Sequence, residues 1–309
     1  MSRVVHDPGR WQQLAAQRVY QLPAYPRAAF LVAPDALAWS ADSATDNRYM
    51  GGSAQIDADR ARRQHRLLHQ ALAADLPVVT FAGVPGQPDG VFPNNVFATA
   101  RCADGPRLVI GSMRHPQRRQ EADRLDVRGW FVNLLGYAEW DLRTLPGLSE
   151  LTGTLVIDRA REVGIAGLGP RCDLAGAESM AEAFGLKACL AAPMAEGEYH
   201  ANVVLSILGG RAAVVAADGW ADAGGLLSAL HVVYGGAIIE LDASERAAFA
   251  GNCIALCDDR LWMSEHAADA LRQVNRERLE ALGFKLGSVA LDEIEKAGGS
   301  LRCCVAEVF

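Results

Sequence analysis

Two thiols, one imidazole and a few acids and bases stand where they could act on a substrate together. Cys303 and Cys304 follow Gly298-Gly299-Ser300-Leu301-Arg302, a glycine turn ending in a cation. Such a setting can expose a thiol and favour its reactive thiolate. Free cysteine is also among the most buried residue types, so the pair could equally be core, and Cys303 becomes the candidate nucleophile only through what lies upstream. His200, in Glu198-Tyr199-His200-Ala201-Asn202, supplies the imidazole that thiol catalysis usually requires. Glu150 could orient and charge-stabilise that imidazole, as the third member of a triad does. Asp89 is a carboxylate suited to a planar cation such as guanidinium, which it would hold through charge-assisted hydrogen bonds. Arg118 lies where Pro116-Gln117-Arg118-Arg119 opens a helix, and helix N-termini favour anions. Arg171 lies in the constrained turn Gly167-Leu168-Gly169-Pro170-Arg171. Either arginine alone would fit an ordinary surface role; together they describe a carboxylate clamp. A thiol, a guanidinium-binding acid and a carboxylate clamp outline an arginine-shaped ligand.

The elements that must position these residues recur along the chain. Five short apolar segments are each entered through a small or polar residue: Asn95–Ala100, Thr154–Asp158, Asn202–Ile207, Asn252–Cys257 and Cys303–Val308. Their first residues recur at about 50-residue intervals, the signature of a repeated supersecondary unit. Helical patterns fall between them, from Gln117 to Gly129, Ala175 to Phe184, Gly225 to Leu230 and Ala267 to Leu282. The expected fold class is therefore α/β, a pseudo-five-fold ring of strand-helix repeats. In such a ring the equivalent strand starts face one axis, which would bring Asn95, Thr154, His200, Asn202, Asn252 and Cys303 to one polar hole. Of the seven histidines only His200 falls at a repeat position. Ahead of the repeats, Ala29–Pro34 reads as a strand and Asp57–Ala73 as a helix leading to a strand at Leu76–Phe81. Ser40–Asn47 is polar and aperiodic, as lids and binding loops are. His65 and His69 have helical spacing, but Arg66 stands where a zinc-binding HExxH pattern requires glutamate, and the arginine-rich setting reads as a solvated face.

Composition limits the alternatives. With 309 residues, half of them apolar, the chain can bury a large core. A net charge of -7 argues against nucleic acid or an anionic membrane surface as the main partner. No run is long enough to span a bilayer and the N-terminus lacks an apolar signal region, so a cytoplasmic protein is expected. Seven scattered cysteines suit reduced thiols, and with no CxxC pair no structural zinc is expected.

At these residues the chain resembles the guanidino-group-modifying enzymes of the pentein fold, which are five-bladed α/β propellers. Pro88-Asp89-Gly90-Val91-Phe92-Pro93-Asn94-Asn95 is similar to the PDxVFxED motif of dimethylarginine dimethylaminohydrolases, with Asp89 on the guanidinium-binding aspartate. Pro116-Gln117-Arg118-Arg119-Gln120-Glu121-Ala122-Asp123 resembles their PSRRKEVD segment. Glu150-Leu151-Thr152-Gly153-Thr154 resembles the EGTGS motif of the amidinotransferase-like citrulline-utilisation hydrolases, with Leu151 in place of its glycine. The resemblance implies Cys303 as nucleophile, His200 as general acid and base with Glu150 beside it, and Arg118 and Arg171 as ligands of the substrate carboxylate. It runs from about residue 29 onward, implying one catalytic domain over 1–309 with 1–28 as an N-terminal extension. Asn94 and Asn95 depart from the family's carboxylate pair, and Asn202 stands where arginine deiminases carry an aspartate. Neutral groups there would weaken the grip on unmodified arginine relative to an N-substituted arginine or a ureido compound. The implied activity is hydrolysis of a C–N bond in a methylated arginine, arginine or citrulline through an amidino-cysteine. An amidinotransferase and a non-catalytic arginine-like ligand binder are the alternatives. Neither a metal nor an organic cofactor is expected, the partner is a small arginine-like amino acid, and a homo-oligomer is possible.

Overall fold

The computed structural model describes residues 2–17, 23–51 and 55–309. Within them the chain forms an α/β fold with five separate mixed sheets, each of the same construction. An antiparallel pair is followed by a third strand lying parallel to the second. Parallel neighbours require a crossover, usually helical, and this requirement generates the strand-strand-helix-strand unit seen as a repeat in the sequence.

In the first sheet Ala306–Val308 pairs antiparallel with Ala28–Val32, which pairs parallel with Val78–Phe81. The register sets Ala306 against Phe30 and Val308 against Ala28, so opposite ends of the sequence share one sheet. Residues Ala29 to Val32 are all buried, the unbroken apolar run expected of a strand covered on both faces. The crossover helix Ala58–Leu72 is capped by Asp57, whose side chain accepts from Arg60 N, and buries Ala61, Leu68 and Leu72. His65 also turns inward. The expected solvated histidine face is wrong for this residue, which burial pushes to about 4. Among the described residues no group of histidine, cysteine and acidic side chains could hold a metal ion.

The second sheet joins Phe97–Cys102, Gly105–Ile110 and Ala138–Asp141. In the third, Leu155–Asp158, Val163–Leu168 and Ala188–Pro193 are joined at the edge by Val4–Val5. The fourth contains Leu205–Leu208, Ala212–Val215 and Ile238–Glu240, and the fifth Ile254–Cys257, Arg260–Ser264 and Lys285–Val289. Helices Leu174–Ala183 and Ala223–Tyr234 cross over in the third and fourth sheets. The expected helix from Ala267 to Leu282 is instead two, Glu265–Ala270 and Gln273–Ala281, and the Gln117–Gly129 pattern breaks into several short helical turns. No helix among the described residues is long and apolar enough to cross a membrane.

The local structure at the repeat positions differs from the expectation in one respect. Glu150, His200 and Cys303 do not enter strands directly. Single helical turns, Leu151–Thr154, Ala201–Val204 and Leu301–Cys304, precede the strands at Leu155, Leu205 and Ala306, and Pro93–Asn95 forms a comparable 3-10 turn before Phe97. Backbone bonds close them, Gly153 N to Glu150 O at 3.0 Å and Cys303 N to Ser300 O at 3.1 Å. Short apolar runs do not distinguish a buried helical turn from the beginning of a strand.

Candidate active site

The turns deliver their polar side chains to one small cavity, lined by Ser43, Asn47, Asp89, Asn95, Arg118, Arg171, Tyr199, His200 and Cys303 among others. Of the residues expected to form the site, Glu150 lies directly behind His200, Asn202 beside the Cys303 sulfur, and Asn94 one layer back against Thr152. All nine are buried.

Cys303 Sγ lies 3.3 Å from Asn252 Nδ2 and 3.7 Å from Asn202 Nδ2. The Asn252 carboxamide bridges the same residue, because its Oδ1 accepts from Cys303 N at 3.3 Å. Burial pushes the Cys303 thiol up, and donation from Asn252, the Ser300 backbone contact, Arg302 and Asn202 all pull it back. Among the described residues Cys304 has no comparable donors. It packs in the apolar cluster with Leu256, Leu301 and Val305, and burial together with Cys303 and Glu295 pushes its thiol well up. Alternation along a strand would have separated the two cysteines, but they share a helical turn, and it is these environments that distinguish them.

His200 directs Nε2 at Glu150 Oε2, 2.8 Å away, while Nδ1 is buried without a partner among the described residues. An Nε2–H donating to the carboxylate leaves a lone pair on Nδ1. Burial pushes His200 down to about 4, against the pull of Glu150. Burial alone would raise the Glu150 carboxyl, but Arg171, His200 and Arg118 outweigh it and hold Glu150 well below the usual range. The resting pair is thus a carboxylate and a neutral imidazole. Gly153 permits their approach to the first repeat: a Cβ there would stand 2.4 Å from Asn95 Oδ1 and 2.9 Å from His200 Cε1. Leu151, occupying the place of the family's glycine, has φ 32°, a left-handed conformation that costs a branched residue energy and is held here by complete burial.

The two arginines differ in what already holds them. Arg118 grips Glu121 through Nε at 3.1 Å and Nη2 at 2.8 Å, and Nη2 also donates to Phe92 O. Its Nη1 has no partner among the described residues. Arg171 donates through Nη2 and Nε to Asp46 Oδ1 at 2.6 and 3.2 Å, through Nη1 to Glu150 at 3.4 Å, and stacks over Tyr199. Asp89 accepts from Ser43 Oγ at 2.5 Å. Two buried acceptors around the cavity, His200 Nδ1 and Asn95 Oδ1, lack donors among the described residues. Buried polar atoms are normally satisfied, and a ligand rich in N–H groups would satisfy them.

Some residues of the site had no role in the sequence reading. Asn252 was placed on the axis by the repeat but given no chemistry. Ser43, Asp46 and Asn47 belong to the polar stretch read as a lid, whose contacts had no sequence signal. Tyr199 stacks on His200 with ring centroids 4.3 Å apart, a contact no spacing rule reveals.

Residues 33–309 match the family of eukaryotic N,N dimethylarginine dimethylhydrolases. No curated protein matches the chain. Among solved structures, it is similar to the substrate-bound N-terminal domain of ArgZ, an arginine dihydrolase from the ornithine-ammonia cycle in cyanobacteria. There the TM-score is 0.77 at 22% identity, covering 91% of this chain and 97% of that one. It spans 40% of the longer ArgZ chain, with the same TM-score. A dimethylarginine dimethylaminohydrolase variant carrying an S-methyl-L-thiocitrulline adduct gives a TM-score of 0.69 at 19% identity, with 91% of this chain and 99% of that one covered. At these identities the structural likeness is one of fold.

Proposed function

The chain belongs to the dimethylarginine dimethylhydrolase family, pentein-fold hydrolases acting on amidine C–N bonds, and from that premise we propose that it cleaves a guanidino amino acid through Cys303. The observation that carries this reading is the cavity shared by the Cys303 sulfur, the unpartnered His200 Nδ1 and the Asp89 carboxylate. Asp89 would bind the guanidinium, with Arg118 and Arg171 on the α-carboxylate. The Cys303 thiolate attacks the central guanidinium carbon, and its negative charge is favoured by the amides of Asn252 and Asn202. His200, having taken the Cys303 thiol proton on Nδ1 and stabilised as imidazolium by the Glu150 carboxylate, gives that proton to the leaving amine or ammonia, and the C–N bond breaks. An amidino-cysteine remains. Water then gives its proton to His200 Nδ1 and its oxygen to the same carbon, the C–S bond breaks, and the thiolate leaves with a ureido product such as citrulline. One imidazole serves as acid and then as base.

The five sheets are the blades of one ring in this reading, a single catalytic domain with its first 28 residues as an extension, working in the cytoplasm. Asn94, Asn95 and Asn202 mark a site that favours an N-substituted arginine or a neutral ureido group over plain arginine. The neutral amides beside the sulfur also favour a second reading, in which the ureido product is attacked again. From arginine, two waters would then yield two ammonia, carbon dioxide and ornithine; ArgZ is called an arginine dihydrolase.

The test supplies arginine, methylated arginines and citrulline separately and measures ammonia, methylamines, ureido product and ornithine. Ureido product with amine or ammonia supports single hydrolysis, and ornithine supports the second reading. Transfer of the amidino group to an added amine in preference to water would replace both. Chloroacetamidine should label wild type and Cys304→Ala but not Cys303→Ala. Labelling lost only in the Cys304 variant would overturn the assignment.

A further inference from the structure

The segment from Ser40 to Gly51 lines the cavity through Ser43 and Asn47, and Ser43 and Asp46 occupy groups that the proposed substrate would use. Ser43 Oγ donates to Asp89 Oδ2 at 2.5 Å. Asp46 faces three bases: Arg171 at 2.6 Å, Arg114 Nε at 3.1 Å and His115 Nε2 at 3.1 Å. It takes the Nε and Nη2 fork of Arg171, while Ser43 O accepts a further Nη2 bond. Both bonds converge on Asp46 Oδ1, a charge-assisted contact of the kind a ligand carboxylate would make with the same edge. Farther along the segment, Asn47 Nδ2 donates to Gly298 O and Tyr49 OH to Glu198. With these contacts made, the cavity has room for at most about one water molecule, far less than an amino acid needs.

The two inner contacts have the polarity of the proposed ligand. A donor sits on Asp89, where guanidinium N–H groups would donate, and a carboxylate sits on Arg171, where an α-carboxylate would bind. Building on the guanidino amino acid reading, we propose that this segment is an internal stand-in for the substrate and that Asp46 is a specificity determinant. Asp46 keeps the carboxylate place on Arg171, and Ser43 keeps the guanidinium place on Asp89. A ligand carrying both groups exchanges with both contacts and frees the segment. A guanidine without a carboxylate exchanges with only one and leaves Asp46 seated.

The mechanism sets the direction of the Asp46→Asn effect. In wild type a ligand carboxylate gains Arg171 only by displacing an equivalent charged partner. Without the Asp46 charge, the Nε and Nη2 side of Arg171 has no anionic partner, although Nη1 still faces Glu150, and the ligand carboxylate gains a charge-assisted bond there outright, about ten-fold or more in affinity. Calorimetric titration with L-arginine and with agmatine, on the Cys303→Ala chain so that nothing is consumed, reads this directly. Asp46→Asn should tighten arginine about ten-fold while agmatine changes less than about two-fold, and Asp46→Glu should restore the original ratio. Ser43→Ala should tighten both ligands. Asp46→Ser repeats the measurement if Asp46→Asn no longer unfolds cooperatively. Weaker arginine binding in Asp46→Asn, or equal shifts for the two ligands, would overturn the stand-in and leave the segment an ordinary structural contact. If arginine, methylarginines and citrulline all fail to bind every variant and the parent chain, the guanidino reading itself fails, a separate result.

Discussion

Replacing Asn252 by alanine tests how a buried sulfur is kept reactive. The side chain makes three contacts: Nδ2 to Cys303 Sγ at 3.3 Å, Nδ2 to Asn202 O at 2.9 Å, and Oδ1 accepting from Cys303 N at 3.3 Å. Burial pushes the Cys303 thiol up, and Asn252 is the largest influence drawing it back. A hydrogen bond to an ionised partner is worth about 1.5–3 kcal/mol, and each 1.4 kcal/mol is a factor of about ten. At neutral pH the thiolate fraction should therefore fall about ten- to a hundred-fold. The assay is the rate of iodoacetamide alkylation at Cys303, followed by mass spectrometry from neutral to alkaline pH. The variant's profile should move to higher pH and regain the wild-type rate at its alkaline plateau, and turnover should recover in parallel. Asn252→Asp, similar in size but anionic, should move it farther. An unshifted profile in Asn252→Ala would refute the idea that this amide sustains the thiolate, and a lowered plateau would show that the thiol had been misplaced instead.

Three further outcomes are expected. Arg118→Ala, and Arg171→Ala in an Asp46→Asn background where no internal carboxylate competes, should each raise KM for free guanidino amino acids about ten-fold or more, from the loss of a charge-assisted bond, and leave agmatine unaffected; equal losses for both would make the arginines structural. Arg118→Ala should also lower the unfolding midpoint, since Glu121 would be left buried and unpaired. His200 is pushed from 6.5 in the unfolded chain to about 4 when folded, so the folded state disfavours its proton. That contribution to stability is complete above pH 6.5 and is lost as pH falls toward 4. Urea midpoints at pH 7 and pH 5 should differ in wild type, and the gap should narrow in His200→Asn, with His65, also pushed to about 4, supplying the remainder; an unchanged gap would assign the dependence elsewhere. Finally, Asn202→Asp should shift substrate preference toward unmodified arginine by about 1.5–3 kcal/mol. A wild-type enzyme that already prefers arginine over methylarginines and citrulline would contradict this account of the asparagines.

Much of this arrangement was legible because its repeat is long and its polar residues recur at matching places. The positions of Asn95, Asn202, Asn252 and Cys303 indicated a common site before any contact was known. The crossover helix at Ala58–Leu72 was visible for a different reason, its N-cap aspartate and spaced apolar residues. What could not be read was local geometry at the site. Ala201 to Val204 is as apolar as a strand, yet folds as one helical turn, because tertiary packing outweighs the weak preferences of four residues. Nor could the loop's contacts be foreseen, since Asp46 meets Arg171 far away in sequence and any surface acid could have stood there.

The pairing of Ala306–Val308 with Ala28–Val32 has a consequence for how the protein folds. This contact spans almost the whole chain, and loop-closure entropy must be overcome before it contributes. Sheets two to five contain only neighbouring segments, apart from the added Val4–Val5 edge, and can form ahead of it. Cys303 lies in the turn immediately before the late-pairing strand, so its sulfur reaches the amides of Asn202 and Asn252 only when the ends meet. Until then the burial that raises its pKa and the amides that lower it are both missing, and Cys303 is an ordinary thiol. In a refolding experiment, native backbone structure should therefore accumulate in the middle of the chain before nucleophilic competence develops in a single slower phase.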